Sequence, residues 1–360
     1  MTNRAAVLTE PKNLEIRDLA TPDPEAGGLS VELVLGGVCG SDLHLYTGQA
    51  GALPFPIILG HEGVGRIAKL GAGVTTDYAS VPVAEGDLVY WSPIALCNSC
   101  YSCTVLEQTP CENSSFFEHA DKPNWGTYQE RVWLPARQPF YKLPAGADPV
   151  ALAALGCALP TALKGFDQVR PVRMGDTVVI QGAGPVGLAA AMLASVSGAS
   201  DIVVIDSSPS RLEFARRMGA TATLSLTDTT AEQRRDQIYA LSGPAGPQIV
   251  FEAAGALPAF SEGSDLTGVN GMYIVMGLWG PVGKSDVQPG DISLRNKAIG
   301  GATFPKAKHY YQAVQLSAKL QSRFPIAELV THRFSIADSL AALHAVENGE
   351  AVKAVIDPTL

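Results

Sequence analysis

The rhythm of apolar and polar residues changes once along the chain. Short apolar runs at 5–8, 14–16, 29–35, 63–69, 87–90 and 127–134 are separated by turns bearing Pro and Gly, which predicts a mostly β domain that closes on itself. Residues 149–163 are rich in Ala and Leu and helical in character. Beyond them strand and helix alternate: a buried strand over Thr177–Gln181, a glycine turn, an apolar helix over 188–197 and a second strand over Asp201–Asp206. That order is a parallel βαβ unit. It continues through a helix at 208–218, a strand at 223–226, a helix at 231–241 and strands at 248–253 and 272–276, predicting an α/β fold with a doubly wound parallel sheet. From about residue 300, helices at 310–320 and 336–348 and a strand at 352–356 are expected to rejoin the first domain. The expected domains are 1–158 with 299–360, and 159–298.

The glycine turn Gly182-Ala183-Gly184-Pro185-Val186-Gly187 follows a strand and opens a helix, the context in which G-x-G-x-x-G binds a dinucleotide. Its glycines let the backbone approach a pyrophosphate, which the helix N-terminus stabilises through its N–H groups and dipole. Asp206 ends the next strand, 19 residues after Gly187. A carboxylate there can accept bonds from both hydroxyls of an adenosine ribose and repels a 2′-phosphate, so NAD is favoured over NADP. Two plainer uses remain open: Asp206 as a cap for the helix near Pro209, and Arg211 as a solvated helix residue rather than one lying over the adenosine.

The chain has six cysteines. Four of them, Cys97, Cys100, Cys103 and Cys111, form C-x2-C-x2-C-x7-C, the spacing of a closed tetrahedral sulfur site on a small loop. Cys39, His61 and the distant Cys157 supply three further zinc-type ligands. Three protein ligands leave the fourth position open, as at a catalytic rather than a structural zinc. Two zinc ions per chain are therefore expected.

Cys39-Gly40-Ser41-Asp42-Leu43-His44, Gly60-His61-Glu62, the four-cysteine loop and the turn from Gly182 to Gly187, in this order over nearly the whole chain, resemble the motifs of the zinc-dependent medium-chain alcohol dehydrogenase superfamily. The resemblance implies a GroES-like catalytic domain holding both zincs, a Rossmann cofactor domain, and hydride transfer between an alcohol and NAD. Ser41 and His44 match the family's hydroxyl and imidazole proton relay. Asp42 resembles the carboxylate that orients the histidine ligand, and Glu62 the acid behind the zinc; for either acid a plain salt bridge is the alternative. Gly277 and Leu278, with Trp279, resemble the nicotinamide-contacting segment, and Lys353 aligns with a basic residue that contacts the pyrophosphate in relatives, although it reads equally as a surface lysine. Gly40 replaces an Arg or His of some members, so no cofactor-phosphate contact is expected from it. The chain is also short between Cys111 and Gly126, which with the resemblance suggests a homo-oligomer, a tetramer rather than a dimer.

Composition narrows the partners. A net charge of −9 opposes a nucleic-acid surface, and with it the reading of the four-cysteine loop as a nucleic-acid module. The residues after Met1 show no long apolar signal core, and the uncharged stretch 177–200 is broken by Gly182, Gly184, Pro185 and Gly187, so neither secretion nor a membrane span is expected. Thiolate clusters suit a reducing cytoplasm. The expected substrate is a small alcohol or carbonyl bound between the domains, an apolar secondary or cyclic alcohol in keeping with Trp91, Phe116, Phe117, Trp125 and Trp279, each a candidate pocket lining or core residue. An NADPH-linked aldehyde or ketone reductase and a non-catalytic structural or regulatory relative remain the alternatives.

Overall fold

The computed structural model describes residues 2–49, 51, 53–106, 111–113, 119–122, 124–278 and 283–360. The chain divides into two compact units, one of Met1–Cys157, Lys306–Gln321 and Ile326–Leu360, the other of Ala158–Pro305 and Ser322–Pro325.

The first unit begins with β1 (Asn3–Glu10), β2 (Asn13–Leu19), β3 (Leu29–Val38), α1 (Gly40–Tyr46), β4 (Ile57–Ile58), β5 (Glu62–Leu70), β6 (Leu88–Trp91), α2 (Tyr101–Thr104), β7 (Arg131–Leu134), β8 (Phe140–Lys142) and α3 (Pro149–Leu155). The second unit holds α4 (Ala158–Gln168), β9 (Thr177–Gln181), α5 (Pro185–Ser197), β10 (Asp201–Asp206), α6 (Pro209–Arg217), β11 (Ala222–Ser225), α7 (Ala231–Ser242), β12 (Ile249–Glu252), α8 (Leu257–Leu266), β13 (Met272–Val275), α9 (Pro289–Leu294) and β14 (Ala298–Gly301). The chain then returns to the first unit as α10 (Ala307–Leu320), β15 (Val330–Phe334), α11 (Ser339–Glu347) and β16 (Lys353–Ile356).

In the first unit β3 is the spine of a seven-stranded sheet. At ten residues it is long enough to pair with β7 at Leu29–Glu32 and with β16 at Gly36–Val38 along one edge, and with β5 along the other. The C-terminal strand thus docks beside the residue that precedes Cys39, with Ala354 opposite Val38. Leu35, Val64, Tyr90, Tyr141, Leu152, Tyr310 and Val355 form one core cluster over this sheet. The predicted return of the tail to the first domain is what the structure shows.

The second unit is a six-stranded parallel sheet of order β11-β10-β9-β12-β13-β14, its central strands apolar because helices cover both faces. Strand order reverses between β9 and β12, and ligands of such sheets bind at the carboxyl ends beside that switch point.

The structure corrects the expected domain boundary and refines two further expectations. The stretch 149–163 is helical as expected but divided into two helices, because the chain turns at Gly156 with φ +35° and the Cys157 N–H donates to Glu62 Oε1 at 2.9 Å instead of to a helical carbonyl. The expected boundary at 298/299 falls inside β14, which pairs with β13 from Ala298 to Gly301, so the first unit resumes only at Lys306. Of the two readings open for Trp91 and Trp125 the structure supports the core one; Trp91 packs on Gly63, where an added Cβ would collide with its ring. Phe116, Phe117 and Trp279 lie outside the described residues. No single helix among the described residues is long and apolar enough to cross a membrane.

Candidate metal centre and cofactor cradle

Cys39 follows β3 and caps α1. Asp42, three residues on, turns its carboxylate back, and Oδ2 accepts the Cys39 N–H at 2.9 Å. The other oxygen, Oδ1, faces His61 Nδ1 at 3.2 Å and the Gly60 N–H at 3.3 Å. One wholly buried carboxylate therefore fixes a helix start and a histidine ring together. With Nδ1–H engaged by Asp42, His61 keeps Nε2 for a metal. Ser41 Oγ lies 3.4 Å from that nitrogen.

Cys157 reaches the same place from the turn between α3 and α4. Tyr90 Oη donates to the Gly156 carbonyl at 2.8 Å and Glu62 accepts the Cys157 N–H, so the turn is held from both sides. The sulfurs of Cys39 and Cys157 are 3.7 Å apart, close to the separation of two thiolates on one tetrahedral zinc. The ligand atoms of Cys39, His61, Glu62 and Cys157 all lie within 4.8 Å of one another, and the residues fit a zinc ion.

The electrostatics follow from packing these groups in the interior. The Cys157 hydrogen bond, helped by His61 and Lys353, holds the Cys39 thiol well below its usual range, while the same bond and burial push Cys157 up. Burial pulls His61 down, but the Asp42 and Cys39 charges outweigh it and raise the imidazole well above its ordinary value. Burial raises Asp42. Glu62 is paired with Lys353, which also donates to the Val38 carbonyl at 3.2 Å. The pyrophosphate role expected for Lys353 is thus replaced by another: the residue is 2 % exposed and its ammonium is engaged behind the metal ligands.

His44 sits one turn along α1 from Ser41, partly exposed, with Nδ1 2.9 Å from Gln49 Oε1. Gln49 carries no sequence signal.

Cys97, Cys100, Cys103 and Cys111 also bring their sulfurs within 4.8 Å of one another. The backbone N–H groups of Ser99 and Cys100 donate to Cys97 Sγ at 3.4 and 3.2 Å, and that of Cys103 to Cys100 Sγ at 3.4 Å. Such bonds favour thiolates: Cys97 is pulled down to about 5, chiefly through Ser99, whereas burial and its sulfur neighbours push Cys103 up to about 12. The group fits a closed structural zinc.

In the second unit the glycine turn joins β9 to α5. A Cβ on Gly187 would collide with the Gly182 carbonyl oxygen, so this crossing of turn and helix excludes any side chain. At Gly184, the residue before Pro185 and Val186 begin α5, an added Cβ meets nothing within 4 Å, leaving open space at a helix N-terminus suited to a phosphate. Asp206 closes the cradle: Oδ2 accepts the Ala183 N–H at 2.7 Å and Oδ1 the Ser208 N–H at 2.8 Å. The cap of α6 is Ser208, whose Oγ accepts the Arg211 N–H at 3.4 Å, so the capping use is not the one Asp206 has, and the ribose-facing use is compatible with this placement. Arg211 stands half-buried on the first turn of α6. Gly277 and Leu278 follow β13, and their N–H groups donate to Glu252 Oε2 at 3.0 and 3.1 Å. Sequence reasoning misses Glu252, although a lone carboxylate ending the apolar run Ile249-Val250-Phe251 is a readable sign.

A metal centre of two thiolates and an imidazole in a GroES-like unit, in one chain with a Rossmann-type sheet, defines the zinc-dependent medium-chain alcohol dehydrogenases, and the chain belongs to that family. The family model of the alcohol dehydrogenase GroES-like domain matches residues 25–145 and that of the zinc-binding dehydrogenases residues 185–319. The chain is 58% identical over 357 residues to 5-exo-hydroxycamphor dehydrogenase of Pseudomonas putida, covering 99% of each. It is 30% identical, with a TM-score of 0.93 and 99% of both chains covered, to the crystal structure of an alcohol dehydrogenase from Thermotoga maritima. A zinc-binding dehydrogenase from Sinorhizobium meliloti solved with NADP is 25% identical, with a TM-score of 0.86 over 99% of this chain and 100% of that one. Zinc and a nicotinamide cofactor are the family's requirements.

Proposed function

We propose that this chain is an NAD-dependent dehydrogenase of apolar cyclic secondary alcohols, carrying one catalytic and one structural zinc. The observation that carries the chemistry is the cluster of Cys39, His61 and Cys157, with Asp42 fixing the histidine. The substrate class rests on the relative named for a hydroxycamphor, a bicyclic secondary alcohol.

When bound, zinc supplies the Lewis acidity that lowers the pKa of an alcohol hydroxyl and the nicotinamide accepts the hydride. Cys39, Cys157 and His61 Nε2 would hold the ion, and Asp42 keeps the proton of His61 on Nδ1. Ser41 Oγ takes the proton of the substrate hydroxyl, and His44, three residues on and on the same face of α1, carries it towards solvent. Cys97, Cys100, Cys103 and Cys111 would hold the second ion, which secures the lobe. Gly182, Gly184, Pro185, Val186 and Gly187 receive the pyrophosphate, and Asp206 the adenosine ribose. The Asp206 charge supports NAD; the NADP bound to the Sinorhizobium relative keeps NADP as the second reading.

The same reading includes a cytoplasmic homo-oligomer that binds neither nucleic acid nor membrane. Free cysteines at metal spacing suit a reducing compartment. Edge strand β14 is largely exposed, with Ile299 37 % and Leu294 just before it 90 % accessible, which supports association through that face. Gel filtration with light scattering tests it, and a monomer refutes it.

The decisive experiment compares zinc per chain in the wild type and Cys157→Ala, alongside NAD and NADP reduction with primary, secondary and bicyclic alcohols. Two zincs falling to one with loss of activity, and NAD with a bicyclic alcohol as the best pair, is expected. Unchanged zinc and activity in the variant, or a preference for NADP, overturns the corresponding part.

A further inference from the structure

Glu252 is the last residue of β12 and wholly buried. A buried carboxylate needs compensation, and here backbone N–H groups supply it. Oε1 accepts the N–H groups of Ala254 at 2.8 Å and Gly255 at 2.6 Å, both in the turn after β12. Oε2 accepts those of Gly277 at 3.0 Å and Leu278 at 3.1 Å, in the turn after β13. The two turns are pressed together around this carboxylate. A Cβ on Gly255, whose φ is +70°, would lie 2.9 Å from the Gly277 carbonyl oxygen, and one on Gly277 2.6 Å from the Gly255 nitrogen. The turn after β12 in turn abuts the cofactor glycines, since a Cβ on Gly182 would lie 2.7 Å from the Ala253 carbonyl oxygen.

Strand order gives this knot a position relative to a ligand. With the pyrophosphate over the β9 turn and the adenosine over Asp206 of β10, the rest of a dinucleotide runs the other way along the sheet, over β12 and β13. We propose that Glu252 is a positioning residue for the nicotinamide half of the cofactor, clamping the two turns on which that half rests. The inference rests on the dinucleotide reading of the glycine turn. Glutamate is required because only a carboxylate offers two acceptor oxygens to four donors. In Glu252→Gln the amide nitrogen faces two N–H groups, so one of the two turns loses both its side-chain bonds, the Gly277 N–H keeping only the Glu252 main-chain carbonyl at 3.1 Å.

The test uses the zinc-loaded enzyme and two ligands that differ in the half concerned. For Glu252→Gln the dissociation constant of NADH is expected to rise at least about tenfold, the effect of losing charge-assisted bonds that set the turn. That of AMP, which reaches only the β9 and β10 side, is expected to stay within about twofold. NADH binding unchanged, or AMP weakened as much as NADH, overturns the clamp, the second outcome marking a merely structural role. Should the variant not fold, hydrogen exchange on the wild type decides: the amides of residues 254, 255, 277 and 278 exchange as slowly as strand amides without cofactor, and exchange at the rate of open turns overturns the proposal. A zinc-loaded wild type that binds neither NADH nor NADPH removes the dinucleotide reading and the clamp together; a wild type that binds NADH beside an indifferent variant removes the clamp alone.

Discussion

Replacing Asp42 by Asn keeps size and shape and changes only where hydrogens are. The carboxylate serves three firm partners: the Cys39 N–H at 2.9 Å through Oδ2, and His61 Nδ1 at 3.2 Å and the Gly60 N–H at 3.3 Å through Oδ1. An amide cannot serve all of them. With its NH2 at the Oδ2 position, two donors meet at Cys39. With its NH2 at the Oδ1 position, it opposes the Gly60 N–H and forces His61 to accept at Nδ1, which moves the imidazole proton to Nε2, the nitrogen the metal needs. Either arrangement forfeits a bond to a charged group, worth roughly 1.5–3 kcal/mol. At about 1.4 kcal/mol per decade that is about 10- to 100-fold in zinc affinity. Competition with a chromophoric chelator measures it, with total zinc per chain read alongside: the cysteine cluster retains its ion while the Cys39 centre weakens. An affinity within about twofold of the wild type would show that Asp42 does not set the tautomer, and the orienting role of this carboxylate at the centre would be refuted.

Lys353→Met leaves Glu62 buried without its cation and is expected to cost about 3–5 kcal/mol in thermal or chemical denaturation; an additional Glu62→Gln should recover part of that loss, and a fully stable single variant would refute the pairing. Gly187→Ala drives a methyl into the Gly182 carbonyl oxygen, so the turn must open and NADH binding is expected to be lost; unchanged affinity refutes the cradle. Because zinc needs Nε2 unprotonated while Asp42 and Cys39 raise His61 well above its ordinary value, protons compete with the metal already near neutrality. Zinc affinity of the Cys39 centre therefore begins to fall, as the pH is lowered, above the range of an ordinary imidazole, and an affinity that starts to fall only at about 6.5 contradicts the shift.

The parts of the site that can be read in the sequence are those whose chemistry is local. The four-cysteine loop, the turn from Gly182 to Gly187 and Asp42 beside Cys39 each carry their meaning within a few residues, and the structure brings each group together. The break at Gly156 cannot be read, because Ala and Leu continue on both sides of it and its cause, the Glu62 carboxylate, comes from a strand far away in sequence. Lys353 is misread for the same reason: a lysine near the C-terminus looks like surface until its strand is set against β3. Trp91 and Trp125 show a further limit, since bulk and apolarity do not tell a core residue from a pocket wall. The end of the second unit escapes a reading by pattern because β14 is a short, largely exposed edge containing two adjacent glycines.

The pairing of β16 with β3 also bears on when the centre can mature. Cys39 and Cys157 are 118 residues apart, and Lys353 meets Glu62 across 291. A growing chain that has already exposed Cys39, His61 and Cys157 still lacks the cation that makes the burial of Glu62 tolerable, and β3 still has an open edge where β16 will lie. The wall behind the metal ligands is therefore completed only when synthesis has passed β16, so stable zinc loading is expected only after Lys353 has been added. A chain cut short before Lys353 would carry every metal ligand and yet lack the wall behind them.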